Sequence, residues 1–94
     1  MGTIAARKCR EILNNVEHVI AVELLCAAQA LDLLAAEKPY QPGEGTRAAY
    51  QVIRKHIPYL KEDRVIATDI ATMVSLIRDG AILRQVEEAV GELK

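Results

Sequence analysis

The sequence has no phenylalanine and no tryptophan, and its only aromatic residues are Tyr40, Tyr50 and Tyr59. Nevertheless 51% of the 94 residues are hydrophobic, so the apolar content consists mainly of alanine, leucine, isoleucine and valine. Each of these side chains buries little area, and a core built from them needs many close contacts. The length allows one domain, and the composition favours helices packed on helices, including helices from more than one chain.

Blocks of like charge are also missing. Twelve Lys and Arg residues oppose thirteen Asp and Glu residues, which gives a formal net charge of −1. Proteins that bind nucleic acids normally carry a basic stripe or patch. We therefore expect no nucleic-acid partner, and we interpret the alternating charges as solvated helix faces.

A secretory signal is not evident, and the longest apolar stretch, residues 19–34, is interrupted by Glu23, Gln29 and Asp32. A membrane-spanning helix needs about 20 predominantly apolar residues. We interpret residues 19–34 as part of a buried helix in a soluble protein, so no membrane partner is expected.

Two cysteines, Cys9 and Cys26, lie within the same predicted helix. A separation of 17 residues corresponds to ~26 Å along a helix, which is too far for a disulfide. Free thiols and the lack of a signal predict a reducing, cytoplasmic location.

Glycine and proline are absent between Thr3 and Pro39, so residues 1–36 are predicted to form one long helix with Thr3 as its N-cap. Two mainly apolar rows step along it by three and four residues. The first row is Cys9, Ile12, Val16, Val19, Glu23, Cys26, Ala30 and Leu33. The second row is Leu13, Glu17, Ile20, Leu24, Ala27, Leu31 and Leu34, and we expect the contact with a partner chain on this row, at Leu24 and Leu31. Such a helix is ~50 Å long, whereas a compact chain of this size has a diameter of roughly 32 Å, so the rest of the chain cannot cover the helix and something else must.

A loop at residues 38–45 separates the long helix from three shorter ones. These are predicted at residues 46–57, 69–79 and 81–90. Thr46 caps the first, Pro58 ends it, Thr68 or Asp69 begins the second, and Gly80 stops it. The expected inward residues are Ala49, Val52, Ile53 and Ile57, then Ile70, Met73, Val74 and Ile77, then Ile82, Leu83, Val86 and Val90. The predicted fold is all-α: a single segment over residues 1–94 whose helical bundle is completed by oligomerisation.

Residues that could support catalysis are few and poorly arranged. The only serine, Ser75, has no nearby histidine in sequence, and Cys9 and Cys26 lie on rows that we expect to be packed. His18 and His56 lack a second ligand at a spacing typical of zinc sites. We expect no catalytic, cofactor-binding or metal-binding residue, and no cofactor.

Two further features allow alternatives. Gly43 and Gly45 precede Thr46 at the start of a predicted helix, and a helix N-terminus can bind an anion. Because no predicted strand precedes them, we interpret these residues as loop and cap residues rather than as an anion-binding site. Glu23 lies in an apolar row, where a carboxylate needs a partner. We interpret it as a partner in an ion pair with another helix or as an edge residue, with a carboxylate lining a shared site as the alternative.

Three ordered segments resemble histidine ammonia-lyases. The run MGTIAARKCREILNNVEHVIAVELLCAAQALD is similar to a long helix near the C-terminus of that family. GTRAAY at residues 45–50 and KEDRVIATDI at residues 61–70 are similar to later family segments, with Thr68 in place of an expected proline. The resemblance covers essentially the whole chain.

The resemblance implies a role without catalytic residues. The family forms its electrophile, a methylidene-imidazolone, from an internal Ala-Ser-Gly, and this tripeptide is absent from the sequence. Its other active-site residues are expected upstream of the matched region. The family's long helix belongs to the central bundle of a homotetramer, which implies self-association here through residues 1–36.

Three hypotheses follow. The first is a structural, self-associating C-terminal portion of a histidine ammonia-lyase, an enzyme that converts histidine to urocanate and ammonia, inactive by itself. The second is a helical subunit that completes a lyase in trans with a chain carrying the N-terminal portion. The third is an unrelated helical protein-interaction module.

Overall fold

A computed structural model describes residues 2–37, 42–60 and 66–92 of the chain, so residues 38–41 of the predicted loop lie outside the described residues. The described residues form four helices and no strand, as the all-α prediction required. Their bounds are α1 Gly2–Glu37, α2 Glu44–His56, α3 Ile66–Arg78 and α4 Ala81–Val90.

The length of α1 determines the shape of the molecule. Its 36 residues correspond to ~54 Å at the usual helical rise, and the longest dimension of the molecule is 55 Å. The radius of gyration is 15.5 Å, well above the roughly 12 Å of a compact chain of this length. Every residue from 2 to 16 is exposed, so the first half of α1 extends beyond the rest of the chain.

The shorter helices form two main packing pairs. α2 packs most extensively against α4, while α3 packs against α1 and more lightly against α4. From α1, only Ala21 and Ala28 are fully buried, because methyl side chains let the neighbouring helices approach its backbone closely. The buried cluster consists of Ala21, Ala28, Val52, Ile53, Ile57, Met73, Val74 and Leu76.

The bounds of α2 confirm one expected signal and correct another. Ile57 has an extended backbone, with φ −131° and ψ 110°, and the helix ends before Pro58 as predicted. The start lies at Glu44, so Thr46 is inside the helix and Gly43 is the N-cap residue. Glu44 in the first turn favours this earlier start, because a carboxylate there interacts well with the helix dipole.

The start of α3 was also predicted too late. The helix begins at Ile66, so Thr68 and Asp69 lie in its first turns, and the Thr68 carbonyl accepts a hydrogen bond from the Thr72 hydroxyl. Gly80 ends α3 as expected, with φ +72°, a left-handed conformation that glycine adopts without a steric penalty. The same residue is the N-cap of α4, so α3 and α4 are joined by only Asp79 and Gly80.

Most of the predicted inward residues are buried or half-buried, with four differences. Ala48 rather than Ala49 is buried in α2, and Leu76 is buried in α3, where contacts with both α1 and α4 widen the inward face. Leu83 and Val90 are largely exposed, because α4 is the last helix in the described chain and has neighbours on one side only.

A polar cluster around Asp32 attaches α2 to α1. Arg54 Nε donates to Asp32 Oδ2 at 2.9 Å, Arg54 Nη2 lies 2.7 Å from the same oxygen in an ion pair, and Tyr50 donates a hydrogen bond to Asp32 Oδ1. Arg54 also donates to the Ile57 carbonyl at 3.1 Å. Its guanidinium carbon lies 5.7 Å from the centre of the Tyr50 ring. The hydrogen bond to Asp32, assisted by burial, raises the pKa of Tyr50, so the phenol stays neutral and remains a donor.

Gln29 extends this attachment to the segment after α2. Its Nε2 donates to the Leu60 carbonyl at 3.2 Å, and its Oε1 accepts from the Leu60 backbone N–H at 3.4 Å. Gln29 and Asp32, which interrupt the apolar stretch of α1, therefore attach α2 and the segment after it to α1.

Replacing Asp32 by asparagine should lower the free energy of unfolding by about 2 kcal/mol. The ion pair is shielded, since the side chains of Arg54 and Asp32 are only 16% and 22% exposed, and the change leaves a partly buried cation without its counterion. Denaturant unfolding followed by circular dichroism measures the effect.

The matched control is Asp79→Asn, the same chemical change at an exposed position. It should alter stability by a few tenths of a kcal/mol at most. Equal effects at the two positions would contradict an anchoring role for Asp32.

Candidate functional site

The residues singled out for nucleophilic chemistry are dispersed. Ser75 is exposed on α3, and Cys9 and Cys26 are both exposed free thiols on α1. The expectation that the two cysteines are core residues is wrong for the single chain, because α3 and the Asp32 cluster occupy a different face of α1. No residue pair with the geometry of a nucleophile and its base is formed by these side chains.

Both histidines are engaged with their own helices. His18 Nδ1 donates to the Asn14 carbonyl at 2.7 Å, and His56 Nδ1 donates to the Val52 carbonyl at 3.0 Å. Because a carbonyl only accepts, the Nδ1 proton is fixed in each ring. Over residues 2–37, 42–60 and 66–92, no three His, Cys, Asp or Glu side chains come together as a metal site would require.

The GEGT segment forms the start of a helix and a packing contact. Gly43 accepts a hydrogen bond from the Arg47 backbone N–H at 2.9 Å, and Glu44 places a carboxylate in the first turn, where an anion would otherwise bind. A Cβ at Gly45 would lie 3.5 Å from Val86 Cγ1, so this residue lies close to α4.

An open depression of about 480 Å³ lies beside the Asp32 cluster. Asp32, Arg47, Tyr50 and Gln51 contribute polar side chains to its lining. The Tyr50 hydroxyl proton is used in the hydrogen bond to the Asp32 carboxylate, and that carboxylate also pairs with Arg54. This arrangement supports packing better than catalysis.

The most distinctive surface of the molecule is the outer side of α1. All eight residues of the first row are exposed. Val19 lies nine residues from buried Ala28, and at about 100° per residue this places it half a turn away, on the side opposite the core. Of the large hydrophobic side chains that are exposed in the described residues, nine belong to α1. They are Ile4, Ile12, Leu13, Val16, Val19, Ile20, Val22, Leu33 and Leu34.

The second row has a mixed environment. Glu17, Leu24 and Leu31 are half-buried toward the chain's own helices, while Leu13, Ile20, Ala27 and Leu34 are exposed. Glu23, in the first row, is exposed rather than buried in this single chain. The first row is therefore the continuous apolar surface, and Glu23 is its only charged member.

An ion pair joins the inward side of α1 to the end of α3. Arg78 donates to Glu17 Oε2 from Nε at 3.0 Å and to Glu17 Oε1 from Nη2 at 3.1 Å. The same Nη2 donates to Asn14 Oδ1 at 2.8 Å. The hydrogen bonds and charge of Arg78 hold the pKa of Glu17 below its usual value, against the opposing effect of desolvation.

Sequence reasoning missed both polar clusters. Asp32 was noticed only as an interruption of the apolar stretch, and Glu17 only as a member of the second row. The available signal was the spacing of Tyr50 and Arg54, which lie four residues apart and therefore on one face of α2. No local pattern links Glu17 with Arg78, because 61 residues separate them.

The Glu17–Arg78 pair should make stability depend on pH in the acid range. A carboxyl whose pKa is lowered in the folded state stabilises the fold above its ordinary pKa of 4.5, and this contribution is lost as the pH falls through the folded value. The free energy of unfolding of the parent should therefore fall toward that of Glu17→Gln between neutral and strongly acidic pH.

Urea unfolding at a series of pH values tests this, with Glu88→Gln as the control for the same change on an exposed side chain of α4. If the gap between parent and Glu17→Gln stays constant down to pH values well below 4.5, Arg78 does not stabilise the Glu17 carboxylate.

Comparison with known proteins places these helices in a family. The sequence model of the family described as aromatic amino acid lyase matches residues 1–55. The chain is similar to the histidine ammonia-lyase of Natranaerobius thermophilus, with 51% identity over 94 residues. It is 47% identical over 93 residues to that of Gloeobacter violaceus and 45% identical over 94 residues to that of Symbiobacterium thermophilum.

These alignments cover 100%, 99% and 100% of the chain, respectively. The chain corresponds to 18% of the length of each of these three relatives. No solved structure gives a significant match. A match over more than half of the sequence, together with these identities, shows that the chain belongs to the aromatic amino acid lyase family.

Proposed function

We propose that this chain is the helical, self-associating C-terminal portion of a histidine ammonia-lyase. The observation that carries the proposal is the outer side of α1, where the first row is exposed along its whole length. Monomeric proteins rarely expose a contiguous apolar patch of more than a few hundred Å². A surface of this size and continuity is typical of a helix that packs against other subunits.

The three similar proteins named above are histidine ammonia-lyases, and this supports assigning the chain to that enzyme rather than to another aromatic amino acid lyase. The reaction, elimination of ammonia from histidine to give urocanate, would then take place on residues outside these 94. The role of this chain is to hold subunits together and to provide a rigid support.

A cytoplasmic, soluble setting fits this role. By length and composition α1 could cross a membrane, and only 11% of its most apolar window is buried within the chain. However, Glu17 and Asp32 on α1 form ion pairs with α3 and α2, which a helix surrounded by lipid would not support. Burial between subunits explains the same apolar surface without exposing those charges to lipid.

The chain alone should show no histidine ammonia-lyase activity, because its sequence lacks the Ala-Ser-Gly from which the family forms its electrophile. Incubation with histidine, followed by urocanate absorbance, measures this. Turnover that remains proportional to the amount of this chain through successive purification steps would overturn the expectation.

The chain should sediment as an oligomer rather than as a 10.4 kDa monomer at micromolar concentration, and Val19→Asp should dissociate it. An unpaired carboxylate in the apolar contact is expected to cost about 3 kcal/mol, which weakens association by roughly a hundredfold. Helicity should persist, since valine and aspartate have similar helix propensities. Analytical ultracentrifugation and circular dichroism give the two measurements.

Leu83→Asp is the matched control, since Leu83 is 52% exposed and Val19 is 57% exposed, but Leu83 lies on α4. It should leave the oligomer intact. Leu24 of the second row is a poorer probe, because it packs against the core of its own chain and its replacement would unfold the protein. A monomeric parent, or an oligomer unaffected by Val19→Asp, would refute association through the first row.

A further inference from the structure

The geometry points to a specific partner arrangement: we propose that a second copy of this chain packs antiparallel along the first row, with Cys9 opposite the partner's Cys26 and Val16 opposite the partner's Val19. This inference rests on the self-association proposed above and adds its orientation and register. It is carried by the positions of one carboxylate, one ammonium and two thiols on the outer side of α1.

The charges on this side of α1 disfavour a parallel arrangement. Glu23 is the only charged residue of the first row, and Lys8 lies beside the row near its N-terminal end. A parallel, in-register pair would place Glu23 against the partner's Glu23 in the apolar contact, and like charges at such close range repel. It would also place the two helix dipoles side by side in the same direction. An antiparallel pair avoids both effects.

Four antiparallel registers allow the first row to interlock with itself over much of α1, and they differ by steps of seven residues because the row repeats every seven. Two of them, centred at Ala21 and between Leu24 and Leu25, bring the two Glu23 side chains within ~6 Å of each other along the axis. A third centres on Asn14 and shortens the overlap of the two helices. The fourth centres between Glu17 and His18.

The register centred between Glu17 and His18 satisfies the charges. The two Glu23 residues are then ~16 Å apart along the axis. Each lies at the level of the partner's Ile12, one turn, or ~6 Å, from the partner's Lys8. A lysine side chain spans this distance, so the arrangement forms two symmetric ion pairs at the edge of the apolar contact.

The same register brings unlike thiols together. By symmetry, Cys9 lies opposite the partner's Cys26 at both ends of the contact. Helices packed with axes about 8–10 Å apart bring such side chains within reach of a short bismaleimide. Like thiols are far apart, since Cys9 and the partner's Cys9 are separated by ~26 Å along the axis.

Cross-linking with a short bismaleimide therefore distinguishes the arrangements. Each maleimide adds one thiol across its carbon–carbon double bond, so two thioethers form and no oxidant is needed. Four samples are compared at micromolar concentration: the parent, Cys9→Ala alone, Cys26→Ala alone, and the two variants mixed in denaturant and refolded together. Cysteine and alanine are close in size and both cysteines are exposed in the single chain, so folding is retained. Sedimentation of each unmodified sample gives its oligomeric state.

The parent should cross-link to a dimer, and neither single variant should cross-link by itself. The refolded mixture should cross-link about half as much as the parent, because random pairing makes about half of the dimers mixed. Cross-linking of either single variant by itself would show that like thiols meet, as in a parallel arrangement, and overturn the inference. An oligomeric parent that fails to cross-link would overturn the register and leave self-association standing. A monomeric parent would refute both.

Discussion

The structure depends on a difference in length between its helices. α1 is as long as the whole molecule, and the other three helices together cover only part of one side of it. The core consequently uses small residues of α1, Ala21 and Ala28, where the short helices approach. Larger apolar side chains, such as Val19 and Leu33, remain on the surface. Burying them would contribute stability at about 25 cal/mol per Å², and the other three helices do not supply that burial.

Two ion pairs orient α1 against the rest of the chain. Asp32 is held by Arg54 of α2, and Glu17 is held by Arg78 of α3, about four turns away along α1. Two attachment points fix the rotation of a helix about its axis, which one point would not. Both ion pairs lie on the side of α1 opposite the first row, where α2 and α3 pack, so they favour the orientation that leaves the first row outward.

Much of the fold could be predicted from local patterns. The absence of Gly and Pro before Pro39 predicted the long helix, and Pro58 and Gly80 correctly marked the ends of α2 and α3. The starts of α2 and α3 were predicted two to three residues late, because Thr46 and Thr68 are good caps in sequence but Glu44 and Ile66 are already helical. Favourable first-turn residues compete with capping residues, and the competition is decided by tertiary contacts.

The exposed surface was harder to predict. Periodicity showed two apolar rows on α1 but could not show which row packs within the chain, since both step by three and four residues. The deciding contacts, Asp32 with Arg54 and Glu17 with Arg78, join residues 22 and 61 positions apart. For the same reason Cys9 and Cys26 were expected to be buried and are instead exposed, while Glu23, which was expected to form an ion pair with another helix or to lie at an edge, is exposed in the single chain.

The two-residue connection through Gly80 has a consequence for how the chain folds. α3 and α4 are neighbours in sequence, so their contact closes a very short loop, whereas docking of Arg78 on Glu17 closes a loop of 61 residues. The entropy lost on closing a loop grows with its length, and contacts distant in sequence slow folding. The hairpin of α3 and α4 is therefore suited to form early, as is the attachment of α2 to α1 through Asp32 and Arg54, which are 22 residues apart. Docking of α3 on α1 is expected to be the late step. Until it occurs, the side of α1 that later packs against α3 remains exposed as well as the first row, so the slow intramolecular event is also the one that leaves additional apolar surface available to neighbouring chains.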